Sequence, residues 1–570
     1  MTARESSRPA LDAYDEISVL RDKHADVIWS NKEASPAELR ALLADLDAGL
    51  AKLSTPINTD LAEGNVYLRF RRVNFLIDKV IVLDRLEDPT AAIRAWQEIE
   101  QITWFDPARI DQTLVGTPFR RLLERPEAAT IRAQLQVAAW WREGQALAGP
   151  YQEKLTVEER IAGLSRIWAA ARDGFVWFDH ASDLDWDRAY LDAIPRVMAA
   201  QDTETYYREL MQFVALLRDG HSNVYPPEEI AKRFYSRPGV RTAKVEGRVI
   251  VMDVTDSDLS REGLRVGDEV VGIDGIDVER YARERVMPYQ SSSTDQDLAV
   301  RTYSYALLTG SAERPAQLEV RDRDGKQTTL TAMRSGYAST GGHPRKAFEM
   351  REDGIAVITA IQFENGAAAE ALGQHIAQVM QAKGLILDLR GNGGGSGNLG
   401  FALLSWLSDA SLPSMVSSYR ESNALDRARM GKSVTVVWRN VAGQEFRLPR
   451  DPVFQGPVAL LIDARTFSAA EDTAAVFKLM HRGIVIGSAS GGSTGQPWLF
   501  DLPGGGTARI CVKRDSYPDG TTFVGTGIVP DIEVPLTIKD VREGRDAVIE
   551  RAVHELSKGR NLAGPQTMGV

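Results

Sequence analysis

The chain predicts a multidomain α+β protein: a helical N-terminal region, a β-rich middle and a layered α/β domain towards the end. Three observations carry that expectation. At 570 residues the chain is longer than one hydrophobic core usually serves. The first part shows apolar residues at helical spacing, and from Gly354 onward apolar strands alternate with helical stretches.

Composition narrows the function classes. Hydrophobic residues make up 43% and charged residues 26% of the chain, as in an ordinary globular protein. A net charge of -11 argues against nucleic acid or an anionic membrane as a general partner. The single cysteine, Cys511, excludes an internal disulfide framework and a cysteine-based metal cluster, and no metal or other cofactor is expected. Residues Met1 to Leu20 are polar, without the apolar core of a signal peptide, and no apolar run is long enough to span a bilayer. A soluble, cytoplasmic protein is expected on that basis, or a periplasmic or secreted one if an export signal has been removed.

The elements follow in order. Within the helical region 1–150, Ser35-Pro36-Ala37-Glu38 reads as a capping box with proline at the first helical position. Leu39, Leu42, Leu43, Leu46, Leu50 and Leu53 then form one apolar stripe. Further helices are expected from about Asn74 to Gln101 and from Glu127 to Gly144, the latter with core residues Trp140 and Trp141. Residues 151–238 add two or three helices, leading into Leu216-Leu217-Arg218-Asp219-Gly220-His221-Ser222, with Pro226-Pro227 as a stop. Residues 239–335 change period to short β-branched runs, including a strand pair around Asp324-Gly325. The string from Arg261 to Gly275 resembles the most recognisable stretch of a PDZ domain, marked by Gly263, Leu264, Gly267 and Asp268. That resemblance implies binding of a peptide end added as a strand. Residues 336–555 contain strands at Ile355–Ile361, Gly384–Leu389, Val458–Ile462 and Gly483–Ile486, with helices at Ala367–Gln381, Leu399–Leu407 and Ser468–Met480. A tail, 556–570, closes the chain.

Two junctions carry candidate chemistry. Leu387-Asp388-Leu389-Arg390-Gly391-Asn392-Gly393-Gly394-Gly395 is an apolar strand ending in a glycine-rich turn. It lacks the P-loop lysine and the dinucleotide glycine spacing. It reads either as a tight turn or as an oxyanion site, where bare glycines let amides converge on negative charge. In Leu461 to Asp472 a strand runs into a turn and Ser468 opens an alanine-rich helix. Ser468 is either a nucleophile at a helix start or an N-cap in a capping box with Glu471.

Together these stretches resemble the C-terminal-processing (tail-specific) peptidases, the family that also holds the tricorn core protease, over roughly residues 155 to 550. The family's "LDLRGNGGG", "SxAxE", the loop after it and a closing "G.G..PDI.V" stand here as Leu387 to Gly395, Ser468 to Glu471, Gly487 to Gln496, and Gly525 to Val534. The resemblance implies a peptidase domain of the ClpP/crotonase type, with Ser468 as nucleophile and polypeptides as substrates. Self-association into a homo-oligomer is left open. One branch of the family places a lysine twenty-five residues after the serine; here that position is Ser493. The tricorn-like branch draws a histidine from the segment before the PDZ domain, which implies His221 as general base. That branch also implies a serine before the histidine and a late glutamate, where this chain has Gly220 and Val524. The group orienting the imidazole is therefore open among Asp219, Asp515, Asp519, a water and a backbone carbonyl, and Asp219, Ser493 and Glu471 are the possible orienting or loop residues. The expected oxyanion donors are the amides of Ala469 and of Gly393 or Gly394. The alternatives are an inactive relative that binds peptides or another ligand, and a crotonase-type acyl-CoA enzyme.

Overall fold

A computed structural model describes residues 27–28, 34–54, 66–100, 122–133, 148–336, 345–422, 428, 436–441 and 446–558. Residues Met1 to Leu20, Trp140, Trp141 and the tail beyond residue 558 lie outside them. The chain divides into two compact units, Met1–Gln145 and Ala146–Val570. The expected segments 151–238, 239–335 and 336–555 thus all fall within the second unit.

The first unit has helices α1 (Pro36–Ser54), α2 (Val66–Arg85) and α3 (Pro89–Glu100). Ser35 begins α1: its N–H donates to Glu38 Oε2 at 2.7 Å, and Glu38 N–H donates back to Ser35 Oγ at 3.3 Å. Leu39, Leu42, Leu46 and Leu50 are buried in one core with Phe75, Leu76 and Trp96. Burying such a stripe is what stabilises a helix of marginal intrinsic propensity.

The second unit starts with α4 (Val157–Gly174), α5 (Trp186–Ala199) and α6 (Thr203–Ala215). Each begins at a side-chain cap, from Thr156, Asp185 and Asp202 respectively. A short strand β1 (Asn223–Tyr225) follows directly after His221. Next comes a small antiparallel sheet of β2 (Val240–Val245), β3 (Arg248–Val254), β4 (Glu269–Ile273), β5 (Ala316–Arg321) and β6 (Gln327–Ala332), neighbours in that order. It has an apolar core of its own. The chain then runs through β7 (Phe348–Met350), β8 (Ile355–Thr359), α7 (Ala367–Gln374), β9 (Gly384–Asp388), α8 (Gly397–Leu404), β10 (Val416–Ser422) and β11 (Val436–Val441). It continues with β12 (Val458–Ile462), α9 (Ala469–Leu479), β13 (Ile484–Gly487), β14 (Pro497–Asp501), β15 (Thr507–Cys511), β16 (Arg514–Ser516), β17 (Ile532–Glu533) and α10 (Ala547–Ser557).

The main sheet has the order β17-β13-β12-β9-β8-β7, parallel except for the β7–β8 pair. Strands β8, β9 and β12 are buried at every position, which explains why they read as continuous apolar runs rather than alternating ones. The strand period of two still operates. Ile358, Leu385, Leu387, Leu460 and Ile462 face the large core shared with α4, α6, α8 and α9. Val357, Ile386, Ala459 and Leu461 face Ala552 and Leu556 of α10. The helices of 151–238 therefore share one continuous core with the sheet instead of standing as a separate body.

Two small sheets complete the unit. One is β1-β15-β14 and the other β11-β10-β16. In the first, Asn223 pairs with Arg509, Val224 with Ala508 and Tyr225 with Thr507. Arg509 Nη2 also donates to Asn223 Oδ1 at 2.6 Å, and Cys511 N–H donates to Ser222 Oγ at 3.1 Å. This strand pairing ties the segment around His221 to the far end of the chain.

Candidate active site

Ser468 sits between β12 and α9 with φ 55° and ψ -126°, a backbone conformation that non-glycine residues rarely adopt and that costs about 1–3 kcal/mol. The turn is held from several sides. Ser468 N–H donates to the Ser493 carbonyl at 3.1 Å and to Glu471 Oε2 at 3.1 Å, and Phe467 N–H donates to the Asn392 carbonyl at 2.9 Å. Glu471 closes back on the Ser468 N–H as in the expected capping box. The Ser468 hydroxyl also lies against His221, with Oγ 2.9 Å from Nε2. The other ring nitrogen, Nδ1, lies 2.8 Å from Ser493 Oγ. The sequence brings together here two side chains 247 positions apart.

The imidazole is held flat and dry. Phe467 stacks on it with centroids 5.0 Å apart and planes 13° from parallel, and Arg301 lies over the other ring at 5.2 Å. A Cβ added at Gly220 would stand 2.8 Å from Phe467 Cζ and 3.1 Å from Arg301 Nη2, so the absence of a side chain before His221 is what admits this stack. Burial, followed by the charges of Arg509, Arg301 and Lys513, pushes the His221 pKa down to about 3. The ring is neutral across the physiological range and can accept a proton.

Glu471 organises the loop that carries Ser493. Fully buried, its carboxylate accepts from Ser490 Oγ at 2.5 Å, Gly492 N–H at 2.7 Å, Ser493 N–H at 3.0 Å and Ser468 N–H at 3.1 Å. Burial pushes its pKa up to about 8, against the pull of these donors. These bonds join it to the loop and the turn, not to the imidazole ring.

The other candidates for orienting His221 are engaged elsewhere. Asp219 Oδ2 accepts from Ser222 Oγ at 2.6 Å, and the Asp219 carbonyl accepts from Ser291 Oγ at 2.8 Å. Asp219 thus shapes the loop holding the histidine. Asp515 pairs with Lys513 at 3.0 Å, and Asp519 accepts from Thr521 N–H at 2.9 Å. The hydroxyl of Ser493 is the group that meets Nδ1. Of the possible orienting or loop residues expected from the sequence, Asp219, Ser493 and Glu471, Ser493 is the one within hydrogen-bond distance of the ring.

The glycine-rich turn lies against the same serine. A Cβ on Gly394 would stand 2.8 Å from both Ser468 Cβ and the Phe467 carbonyl oxygen, and 3.1 Å from Ala469 N. Gly394 has φ +100°, so glycine is required there on two counts. Its N–H is already donated to Asn392 Oδ1 at 2.9 Å, and Asn392 Nδ2 donates to the Ala360 carbonyl at 3.0 Å. Gly393, by contrast, is exposed, and a Cβ there would meet nothing within 4 Å. Ala469 is the first residue of α9, so its N–H has no partner within the helix. Of the two glycine amides open in the sequence, the Gly394 one is occupied.

The residues singled out in the PDZ-like string shape a turn. Gly263 and Gly267 have φ +106° and +90°. Leu264 is 1% exposed in the core of the small sheet, and Asp268 accepts from Arg265 N–H at 2.8 Å. The side chains of Leu264 and Asp268 are thus spent within their own domain.

By its similarity to known proteins the chain is a serine-type peptidase. Residues 354–534, the segment that holds β8 to β17 and α9, match the model of Peptidase family S41. The chain is 20% identical over 402 residues to a carboxyl-terminal-processing protease of Picosynechococcus sp., covering 68% of this chain and 86% of that protein. Among solved structures it is similar to mature CPAF complexed with lactacystin, with a TM-score of 0.53 and 15% identity over 70% of this chain and 98% of that one. The structure of mature CPAF gives a TM-score of 0.53 at 14% identity, over 70% and 97%. Likeness at this identity concerns the fold. Among the described residues no group of histidine, cysteine or carboxylate side chains is arranged to hold a metal, and no helix is long and apolar enough to cross a membrane.

Proposed function

We propose that the chain is an endopeptidase in which Ser468 attacks the peptide carbonyl, His221 takes its proton, and Ser493 orients the imidazole. The reading is carried by one observation: Ser468 Oγ lies 2.9 Å from Nε2 of a buried, neutral histidine. In the productive tautomer Ser468 Oγ–H donates to Nε2, and Nδ1–H donates to Ser493 Oγ. The oxyanion of the tetrahedral intermediate is received by the amides of Ala469 and Gly393, which leave from a helix start and an exposed glycine. Proton return from His221 expels the amine, and water then hydrolyses the acyl-enzyme through the same base. The small PDZ-like sheet engages the extended polypeptide.

The test is Ser468→Ala. Turnover of a quenched fluorescent peptide falls by at least ~10⁴-fold, and labelling by a serine-directed phosphonate disappears, with the thermal midpoint unchanged. Labelling that persists in Ser468→Ala overturns the assignment of the nucleophile.

A further inference from the structure

Next to the His221 segment the second unit contains a cavity of about 1100 Å³, at the upper end of what small-ligand sites occupy. Its wall includes Asn223 and Val224, just after His221, and Arg301, whose guanidinium covers the Phe467 ring. Seven of its lining residues are arginines and three are acidic, in a chain whose net charge is -11. The cavity concentrates positive charge that the molecule as a whole does not have.

Part of that charge is neutralised within the protein. Arg208 pairs with Glu204 at 3.1 Å, Arg233 with Glu153 at 3.1 Å, and Arg301 with Asp297 at 2.7 Å. Three others differ. Arg334 is 5% exposed, and its hydrogen bonds go to neutral groups, the carbonyls of Leu308 and Arg314 at 3.0 and 2.5 Å and the Tyr281 side chain. Arg285 and Arg314 line the same space, exposed to solvent. No carboxylate lies within ion-pair distance of these three among the described residues. A buried guanidinium facing a large cavity without a counter-charge is costly unless an anion arrives to meet it. Guanidinium groups pair best with planar carboxylates.

We propose that this cavity is a specificity subsite that takes acidic side chains of the polypeptide substrate. The proposal rests on the peptidase reading above and adds a substrate class to it: acidic segments positioned beside the catalytic histidine.

The experiment uses the full chain and three matched peptides: one rich in Glu and Asp, its Gln/Asn counterpart, and the acidic peptide with an amidated C-terminus. Binding to Ser468→Ala is measured by fluorescence anisotropy, and kcat/KM by cleavage with the unsubstituted serine. The acidic peptide is expected to bind and be cut at least ~10-fold better than its amide counterpart, amidation leaving this unchanged, with the advantage shrinking as salt rises. The Arg285→Glu/Arg314→Glu double variant should lose that advantage while cutting the neutral peptide at the unaltered rate. Equal handling of acidic and neutral peptides, a preference untouched by the double variant, or a preference that vanishes on amidation alone overturns the proposal. Acid-selective binding by Ser468→Ala beside a wild-type protein that cuts nothing would refute the peptidase reading and leave the subsite standing.

Discussion

Replacing Ser493 with alanine removes the hydroxyl that lies 2.8 Å from His221 Nδ1 and leaves Ser468 and His221, the proposed nucleophile and base, in place. The size of the effect follows from what is lost. A buried donor stripped of its acceptor costs about 1–3 kcal/mol, and a hydroxyl supports an imidazolium less than a carboxylate does, so the effect falls short of the ~10⁴-fold that accompanies a wrong tautomer enforced by a carboxylate's replacement. The expected drop in kcat is about 10–100-fold, each tenfold being about 1.4 kcal/mol. KM should change little, since Ser493 is buried behind the ring. The assay is steady-state cleavage of a quenched peptide, with thermal unfolding alongside to show that the loop anchored on Glu471 through the Ser493 backbone has survived. A kcat within two-fold of the parent at an unaltered melting temperature would refute the idea that this hydroxyl positions the base.

Other outcomes follow from the same geometry. With the His221 pKa down at about 3 against an ordinary value near 6.5, kcat/KM should show no acid limb at 6.5 and should begin to fall only well below pH 5; an inflection at 6.5 would contradict the buried, neutral ring. By linkage, the unfolded chain takes up that proton first as pH falls, so His221 subtracts stability between pH 6.5 and 3, and His221→Phe should flatten the acid side of the stability curve. Gly394→Ala should cut kcat by at least ~100-fold, as its Cβ would press at 2.8 Å on Ser468 Cβ and the Phe467 carbonyl at a positive φ; an active Gly394→Ala enzyme would show that the glycine turn stands clear of the reacting atoms.

What the sequence made legible was what local pattern encodes. β8, β9 and β12 stand out because burial on both faces leaves only apolar residues in them. The Ser35 cap of α1 stands out because both partners lie within one turn. The expected helix from Ser468 to Met480 runs Ala469–Leu479, since the serine is pulled out of helical geometry into its strained turn. The expected helix Leu399–Leu407 ends earlier, at Leu404, and tightens into a 3₁₀ turn over Ser405–Leu407. The sheets β1-β15-β14 and β11-β10-β16 left no such trace. Apart from the local β14–β15 hairpin, their pairings run across long stretches of chain, β1 with β15 and β10 with β16, so much of their stability comes from partners that no window of sequence contains. The sequence offers Ser493 as a possible orienting or loop residue without fixing which of the candidates meets the ring. Its place depends on Glu471 drawing a distant loop inward, which spacing alone does not express.

The pairing of β1 with β15 has a consequence for biosynthesis. The ribosome completes His221 and then Ser468, but the strand that grips the histidine's neighbour, Thr507–Cys511, emerges after both. A nascent chain that already carries His221 and Ser468 therefore still lacks the strand that pairs with the histidine's neighbours. Alignment of His221 with Ser468 is therefore expected only once residues 507–511 have been made.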